Sequence, residues 1–468
     1  MFQCAQSTAT VVGLGATGLS LARFLSRRGA VVTAVDSEES PAALVQYRSE
    51  FPAAKFVTMD FARDRLPASD LIALSPGVPR ASFTVRSAIE AGTPVVGDIE
   101  LFAREVPDGA RVFAITGSNG KTTTTALAGE LARTVDGGAR VAGNIGIPIL
   151  DALAEAPDCR TWVLELSSFQ LESTVSLKTE AAAVINVTPN HLDRYPSFFA
   201  YAACKERIFG GAERQVINRD DVWSASMRRT EVAATTFGAG RPLTKQDYGL
   251  DIAGPEGQLL RGSQSIIAMA ELGIPGAHNA QNALAAMALM DSLAVTRPDC
   301  QRVLRSFRGM PHRCQAVGEI DGVRVIDDSK ATTIVATVAA LDGLATPTWL
   351  IAGGDGKGQD FGELVPAAAR HCRAVHLIGK DADAIAAALS ASGVPWRKFA
   401  SLDDAVAAAL DGARAGEQLL LSPACASWDM FRNFGHRAEV FVRAVSDWAA
   451  SRGRVLTSPT SPKRGTAS

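Results

Sequence analysis

Short apolar runs alternate with longer amphipathic segments along most of this chain. Strands are predicted at residues 8–12, 31–35, 71–75 and 94–97, and the first of them leads into an amphipathic helix at 19–28. Similar strand and helix pairs recur from Val112, and again from Val323, with a helix from Lys330, to a last strand at 418–421. Strands that alternate with helices predict an α/β fold built on parallel sheets.

The pattern divides the chain into three blocks. With 468 residues, the chain is too long for a single core. We predict a Rossmann-like N-terminal domain at 1–104, a central P-loop ATPase-like domain with a mixed sheet at 105–309, and a Rossmann-like C-terminal domain at 310–455. The remaining residues, 456–468, are rich in Ser, Thr, Pro, Lys and Arg and are predicted to be disordered.

Composition narrows the class of protein. A net charge of −2 argues against a nucleic-acid surface, and no apolar run approaches the roughly 18 residues of a membrane span. The seven cysteines are scattered without C-x-x-C spacing, so neither disulfides nor a zinc site is indicated. We expect a cytoplasmic enzyme without membrane insertion, and nothing in the sequence demands more than a monomer.

A glycine loop joins the strand at 112–116 to a helical segment, and its residues are Gly117, Ser118, Asn119, Gly120, Lys121, Thr122 and Thr123. Backbone N–H groups and a helix N-terminus can hold phosphates, while the lysine neutralises charge and a threonine hydroxyl binds Mg²⁺. The loop therefore indicates ATP or GTP. Its two glycines enclose only two residues, fewer than in the general P-loop pattern. A glycine turn between strands is the alternative, but residues 124–131 have helical periodicity.

The first block carries a second nucleotide motif. A G-x-G-x-x-G run begins at Gly13, follows a strand and opens a helix, and Asp36 ends the next strand. This context favours a nucleotide diphosphate site over a packing turn. On this motif alone, an NAD-dependent enzyme fused to an ATPase stays open.

Polar residues also follow other strands. Glu165 interrupts an apolar strand and is either a Mg²⁺ ligand or part of a structural salt bridge, because a buried carboxylate needs a partner. His191 alone reads as an ordinary loop histidine. In the third block, Asp328 with Lys330 and Asp355 with Lys357 are either solvated loop charges or parts of a binding face at the sheet edge.

These motifs together resemble the Mur ligase family of ATP-dependent, amide-forming enzymes over almost all of residues 8–450. The short form of the glycine loop is the family's own, which accounts for its spacing. The resemblance extends over residues 143–146, 165–170, 191–194, 278–282, 311–313 and 328–332. It implies that the first domain binds a UDP-sugar, and that ATP and two Mg²⁺ ions activate a carboxylate as an acyl phosphate.

Within the family, residues 97–102, 164–172, 353–357 and 422–434 resemble the enzymes that join D-glutamate to UDP-N-acetylmuramoyl-L-alanine in peptidoglycan precursor synthesis. Two positions depart from that pattern, because Thr333 stands where Asn is usual and Ala438 where Gly is expected. Another acceptor such as L-glutamate is one alternative, and a non-catalytic nucleotide-binding regulator is another.

The resemblance also implies roles for individual residues. The nucleotide sugar would contact Gly15, Ala16, Thr17, Asp36, Ser75, Gly77, Asn144, Ser167, Gln170 and Arg194. ATP would contact the glycine loop, Asn279, Asn282, Arg313 and Asp328. Glutamate would contact Lys330, Thr332, Lys357, Ser427 and Phe434. Thr122, Glu165, His191 and Lys205 would hold the metal ions, with Lys121, Glu165, His191 and Lys205 as catalytic residues.

Lys205 has two readings. In an amphipathic helix it is ordinarily a solvated charge. The resemblance implies instead a lysine carbamylated by CO₂, whose carboxylate supports the second Mg²⁺. A carbamate reverses the charge that an ammonium would place beside a cation.

Overall fold

The N-terminal part of the chain folds into a parallel sheet with helices between its strands. The structure is a computed structural model that describes residues 7–190, 194–253, 257–274, 276–356 and 358–457. The elements of this part are β1 Thr8–Val12, α1 Ala16–Arg27, β2 Val31–Asp36, α2 Leu44–Glu50, β3 Lys55–Thr58, β4 Leu71–Leu74, α3 Phe83–Glu90, β5 Val95–Gly97 and α4 Asp98–Glu105. The strand order is β3-β2-β1-β4-β5, with every pair parallel. This order places the end of β1 next to the ends of β2 and β4, at the edge where such sheets bind ligands.

The central part contains a second parallel sheet. Its elements are β6 Arg111–Thr116, α5 Lys121–Arg133, β7 Arg140–Gly143, α6 Ile149–Glu155, β8 Thr161–Glu165, α7 Ser168–Leu171, β9 Ala181–Val184, α8 Phe198–Glu206, β10 Arg214–Asn218, α9 Val222–Ser226, β11 Ala233–Phe237, β12 Tyr248–Asp251, β13 Gln258–Arg261, β14 Gln264–Ala268, α10 Ala277–Leu289 and α11 Arg297–Ser306. The order β11-β10-β9-β6-β8-β7 puts β6 between β9 and β8. The strand that leads into the glycine loop is therefore covered on both edges.

The central domain was predicted to contain one mixed sheet, but its parallel and antiparallel strands lie in two separate sheets. All pairs of the six-stranded sheet are parallel. The antiparallel pairs lie in a separate three-stranded sheet, β12-β13-β14. A short turn joins β13 to β14, and hairpins of this kind require antiparallel pairing.

The C-terminal part is built on a third sheet. Its elements are β15 Gln315–Ile320, β16 Val323–Asp327, α12 Ile334–Leu344, β17 Thr348–Gly353, α13 Val365–His371, β18 Cys372–Ile378, α14 Ala382–Leu389, β19 Trp396–Lys398, α15 Leu402–Gly412, β20 Gln418–Leu421 and α16 Phe434–Ser451. The order is β15-β16-β20-β17-β18-β19, with β15 antiparallel to β16 and the other pairs parallel. Apolar clusters cover both faces of this sheet. The predicted α/β class with three domains is confirmed.

Two local features differ from the sequence pattern. The helix predicted from Lys330 begins at Ile334, because the Thr333 hydroxyl accepts a hydrogen bond from the Ala336 N–H and caps α12 there. At the start of the predicted disordered tail, Thr457 exchanges backbone hydrogen bonds with Glu319. Residues 458–468 lie outside the described part of the chain.

The described residues form two compact units. One comprises the residues up to Leu272 together with Asn279–Ser306, and the other comprises Gly273–His278 together with the residues from Phe307 onwards. In the first unit, one apolar cluster runs through both the N-terminal and the central sheet regions, with Phe102 packed edge-on against the buried Trp162. The two regions therefore share a core. Within the described residues, no helix combines the length and apolar content needed to cross a bilayer.

The first turn of α1 is packed against the preceding loop. A Cβ atom on Gly18 would lie 1.9 Å from the carbonyl oxygen of Gly13, which belongs to the backbone and cannot rotate away. We expect Gly18→Ala to destabilise the protein by about 1–3 kcal/mol, the usual cost of overpacking. Thermal unfolding followed by circular dichroism measures the effect.

Gly137→Ala is the control, because a Cβ atom there would meet nothing within 4 Å. It should unfold at the wild-type temperature. A Gly18→Ala protein as stable as this control would show that α1 is not closely packed on the loop.

Candidate functional site

The glycine loop lies between the end of β6 and the start of α5. Gly120 precedes α5 with a left-handed φ of 77°, and no side chain caps the helix. Added Cβ atoms would come within 2.5 Å of Ile185 Cγ1 at Gly117 and of Asn282 Oδ1 at Gly120. Both glycines are required by the close approach of neighbouring segments. The uncapped helix start can receive an anion.

Asn186 holds the loop, although it is not among the predicted site residues. Its Oδ1 accepts hydrogen bonds from the N–H groups of Ser118 and Asn119 at 3.0 and 2.8 Å, and its Nδ2 donates to the Asn119 carbonyl at 3.0 Å. These two loop N–H groups are thus directed at Asn186. A polar residue just after β9, the neighbour of β6, is the signal that could have identified it.

Several predicted ATP residues meet at this loop. Lys121 Nζ donates to the carbonyls of Gly117 and Ser118 at 2.9 and 3.0 Å, so its amine lies over the loop. Asn282 lies against Gly120, and its Nδ2 donates to Asn279 Oδ1 at 3.3 Å. Helix α10 therefore brings two distant asparagines to the start of α5.

Glu165 has one oxygen without a partner. In the register of β6 and β8 it stands level with Ile115, at the edge of the loop. Its Oε1 accepts a hydrogen bond from Asn144 Nδ2 at 2.8 Å, whereas Oε2 is buried and accepts none. Among the described residues, no cationic side chain forms an ion pair with Glu165. Within this part of the chain, a structural salt bridge therefore does not account for the buried carboxylate. Buried carboxylate oxygens need a partner, and Mg²⁺ takes such ligands.

The other predicted metal ligands are of mixed type. Thr122 is buried in the first turn of α5, and His191 lies outside the described residues. In the part of the chain that is described, no three His, Cys, Asp or Glu side chains gather into a metal site. Two of the four predicted metal ligands are a threonine hydroxyl and a modified lysine. The predicted metal site therefore does not require three His, Cys, Asp or Glu side chains.

Lys205 is buried, and its reading as a solvated charge is wrong. Its side chain is 1% exposed, and Nζ donates to the Gly117 carbonyl at 2.7 Å and lies 4.6 Å from the centre of the Tyr201 ring. Burial lowers the pKa of Lys205 well below its usual value, and the nearby charge of Lys121 lowers it further. The structure therefore favours a neutral amine at the edge of the glycine loop.

The G-x-G-x-x-G turn is held by Asp36. Its carboxylate accepts hydrogen bonds from the N–H groups of Leu14 at 2.5 Å and Glu38 at 3.0 Å. Ser75 packs beside Gly13, whereas Gly15 and Gly77 face open space. The predicted residues Ala16 and Thr17 begin α1. The structure thus brings the end of β4 to the predicted nucleotide turn.

Arg194 is predicted to contact the sugar nucleotide, but its guanidinium already has several partners. It pairs with both carboxylate oxygens of Glu172 at 3.0 and 3.2 Å. It also donates to the carbonyls of Pro76, Gly77 and Val78 at 2.8 to 3.3 Å. Its side chain stacks 3.9 Å above the Phe169 ring and is 8% exposed. Arg194 therefore fastens the turn after β4 to the central domain.

Gln170 is likewise buried among internal partners. Its Oε1 accepts from the Ser167 N–H at 3.1 Å in a capping box, and its Nε2 donates to Asp98 Oδ2 at 2.9 Å. Burial raises the pKa of Asp98 to about 6, and its Oδ1 has no hydrogen-bond partner. Gln170 joins α7 to α4, so its direct contact with a ligand stays a prediction.

The second unit contains the remaining predicted ATP residues. Asp328 accepts hydrogen bonds from the Cys314 N–H at 3.1 Å and the Ser422 hydroxyl at 2.7 Å, and burial raises the pKa of Asp328 to about 7. The positive charge of Arg313 opposes this rise. Arg313 Nε is buried without a hydrogen-bond partner. A guanidinium with an unpartnered N–H group can bind a phosphate.

The predicted glutamate residues surround the loop between β16 and α12. Lys330 Nζ lies 5.3 Å from the centre of the Phe434 ring, and Ser427 is buried. Thr332 is half-buried in the same loop. Lys357 lies outside the described residues. Lys330 and Phe434 are therefore brought together, and the position of Lys357 stays a prediction.

Arg437 supports this loop and was not among the predicted site residues. It is fully buried and donates to the Ser329 carbonyl at 2.8 Å and the Cys425 carbonyl at 3.1 Å. Burial lowers the pKa of Arg437 to about 10. The neighbouring Ala438, one of the two departures from the expected pattern, is also buried. Arg437 connects the loops that carry Lys330 and Ser427.

Comparison with known proteins yields matches along nearly the whole chain. Three domain families match: "Mur ligase MurD-like, N-terminal domain" at residues 7–97, "Mur ligase middle domain" at 115–290, and "Mur ligase, glutamate ligase domain" at 312–425. The UDP-N-acetylmuramoylalanine–D-glutamate ligase of Methylobacillus flagellatus is 50% identical over 96% of this chain and 98% of its own length. The ligase of the same name from Thiobacillus denitrificans is 48% identical over 95% of this chain and 97% of its own length.

Solved structures share the fold at lower identity. The UDP-N-acetylmuramate-alanine ligase of Thermotoga maritima aligns with a TM-score of 0.60 and 19% identity, over 94% of this chain and all of its own. MurF of Acinetobacter baumannii aligns with a TM-score of 0.59 and 17% identity, over 90% of this chain and 91% of its own. Proteins of this three-domain architecture therefore share the fold of the chain.

The contacts of Arg194 predict its role. Lysine can keep one bond to Glu172, but it loses the paired geometry and most of the carbonyl contacts that hold the turn at Gly77. We expect Arg194→Lys to weaken binding of the nucleotide sugar predicted at this turn about tenfold, equal to about 1.4 kcal/mol. Titration calorimetry measures the dissociation constant.

Arg111→Lys is the matched control. Arg111 also pairs with both oxygens of one carboxylate, Glu180, and donates to a carbonyl, but it lies at the opposite end of β6 from the loop. Its dissociation constant should equal that of the wild type. If Arg194→Lys also binds like the wild type, the turn does not depend on Arg194.

Proposed function

This chain belongs to the Mur ligase family, and on that premise we propose that it joins D-glutamate to UDP-N-acetylmuramoyl-L-alanine at the expense of ATP. The single observation that supports the chemistry is the constellation at the glycine loop, where Lys121, the unpartnered Glu165 oxygen and the buried Lys205 lie together. The acceptor is inferred from near-full-length identity to D-glutamate ligases.

The reaction needs an activated carboxylate. The alanyl carboxylate takes the γ-phosphoryl group of ATP to become an acyl phosphate, and ADP leaves. The amine of glutamate then attacks the acyl carbon, and phosphate departs as the amide forms. The first step brings two anions together, so charge neutralisation is the main catalytic demand. Lys121, at the loop, would supply a positive charge to the phosphates.

The described residues fit a divalent cation at the loop. Glu165 Oε2 is buried without a partner, and Thr122 stands in the first turn of α5. When bound there, Mg²⁺ would neutralise phosphate charge and favour transfer to the carboxylate. We propose Thr122, Glu165, His191 and Lys205 as the residues that hold two such ions. His191 enters this proposal from its sequence motif alone.

We propose that Lys205 acts as a carbamate. A neutral amine is the form that attacks CO₂, with a new N–C bond and release of one proton, and burial favours that form. The resulting carboxylate would offer oxygen ligands and remove a positive charge that burial and Lys121 both disfavour. The contact of Lys205 Nζ with the Gly117 carbonyl at 2.7 Å supports a position for this group beside the phosphate loop.

The residues proposed to bind the acceptor, glutamate, belong to the second compact unit. Lys330, Thr332, Lys357, Ser427 and Phe434 are proposed to bind glutamate, because a dicarboxylate needs cations and hydroxyl donors. Arg313 and Asp328 are proposed to bind ATP, with Arg313 on the phosphates and Asp328 on the ribose. The departure at Thr333 is explained locally, since this residue caps α12. We further propose that the enzyme works as a monomer in the cytoplasm.

Phosphate release identifies the acceptor. We expect release from ATP in the presence of UDP-N-acetylmuramoyl-L-alanine and D-glutamate, and background release with L-glutamate, lysine or diaminopimelate. A malachite green assay with chromatography of the product measures this. Release with L-glutamate only would overturn the acceptor. Release that needs NAD would favour the dehydrogenase alternative instead.

Chemical rescue tests Lys205. We expect Lys205→Ala to lose activity on the order of 100-fold, the usual effect of removing one group that stabilises transition-state charge. Formate or acetate should restore part of it, because a small carboxylate can occupy the space of the carbamate. Steady-state phosphate release with and without each acid measures the effect.

Lys178→Ala is the control, because Lys178 is an exposed lysine of the same domain. It should keep wild-type activity and show no response to formate. Full activity of Lys205→Ala would contradict a catalytic role, and an inactive variant without rescue would contradict the carbamate.

A further inference from the structure

A cavity lies in the central domain at a place that the ligase reaction does not use. Its volume is about 160 Å³, and it is bounded by α5, α10, α11 and the antiparallel sheet and partly open to solvent. The glycine loop opens α5 at Lys121, whereas the cavity touches the same helix at Leu131, ten residues or about 15 Å further along. The cavity is therefore separate from the phosphate loop.

The inner part of the cavity is apolar. Leu131, Met287 and Met290 are buried side chains of the helices that form its floor, and the Cys300 thiol is buried beside them. An engineered apolar cavity of about 150 Å³ holds one benzene molecule. The space thus matches a single aromatic ring or a short branched aliphatic chain.

The rim of the cavity is positively charged. Arg261 and Arg297 line it together with one carboxylate, Asp291. Asp291 is already engaged, because it pairs with Arg261 at 2.7 Å and accepts a hydrogen bond from the Tyr248 hydroxyl at 2.8 Å. Arg297 is exposed at the start of α11, and no carboxylate pairs with it in the described part of the chain. One positive charge is left for a ligand.

The walls of the cavity are connected to one another. Gln301 of α11 donates to the Ile266 carbonyl of β14 at 2.6 Å, and α11 packs on α5. The antiparallel sheet and the helices therefore form one frame around the space. Small-molecule sites are usually cavities that the fold has already formed, and these contacts join the walls of this one.

We propose that this cavity is a binding site for a small apolar carboxylate, with its ring or branched chain among Leu131, Met287 and Met290 and its carboxylate at Arg297. The volume of the cavity limits the size of the apolar part of the ligand, and the unpaired Arg297 favours a negatively charged group. Because α5 and α10 also carry Lys121 and Asn282, the ligand would contact the same helices that form the ATP site.

Benzoate is the probe, and benzamide is its neutral counterpart of similar shape. The chain has eight methionines, and selective ¹³C-methyl labelling of the full-length protein reports on each. Met287→Leu and Met290→Leu assign the two signals from the cavity. We expect benzoate to shift these two signals in a saturable manner. Absence of such shifts at saturating millimolar benzoate would overturn the site.

Charge selection is tested by replacing Arg297. Arg297→Gln should weaken benzoate binding about fivefold, as expected for a partly exposed ion pair, and leave benzamide unchanged. Arg302→Gln is the matched control, since Arg302 lies on the same helix and pairs with Asp299 at 2.7 Å outside the cavity. Equal binding of benzoate and benzamide by the wild type would overturn the anion assignment.

Two further measurements locate the ligand. Ser265→Trp places a large side chain in the cavity and should abolish the shifts of Met287 and Met290, while the protein keeps its KM for ATP. Saturating ATP should leave the benzoate dissociation constant unchanged. Displacement of benzoate by ATP would mean that the probe occupies the nucleotide site, and the proposal would fail even with the ligase function intact.

Discussion

The burial of Lys205 against the carbonyl of Gly117 is the constraint around which the centre of this protein is arranged. An amine that is 1% exposed and lies near the charge of Lys121 is costly as an ammonium. The cost falls if the amine stays neutral, or if a modification reverses its charge. The same bond fixes α8 to the glycine loop, and Tyr201 of that helix bonds to Ser118 at 3.0 Å. Local packing and the catalytic role that we propose therefore depend on the same side chain.

A second group of contacts positions the glycine loop and the turn after β4. Asn186 bonds two loop N–H groups, and Asn282 approaches Gly120 so closely that only glycine fits. On the other side of the central sheet region, Arg194 fastens the turn after β4. Such residues set geometry, and small errors in geometry reduce rates strongly in reactions that depend on alignment.

The sequence was sufficient for the fold class and for the location of the glycine loop, because strand period, helix period and glycine spacing are local signals. It misled where burial depends on distant segments. Lys205 has the pattern of a surface lysine, yet α8 turns it towards Gly117. Asn186 and Arg437 carry no motif, and each depends on a partner far along the chain, Asn119 at a separation of 67 residues and Ser329 at a separation of 108. Helix α12 begins four residues later than the predicted start at Lys330, because Thr333 caps it.

The two departures from the expected acceptor pattern are both accounted for by packing. Thr333 supplies the hydroxyl that begins α12, a task that threonine and asparagine share. Ala438 is buried beside Arg437, where a small side chain is tolerated and the guanidinium already bonds two carbonyls. Arg437 holds the loops of Lys330 and Ser427 from inside, so neighbouring positions can vary while the frame of these loops is kept. Under the proposed function, specificity for the amino acid depends on the side chains that this frame presents.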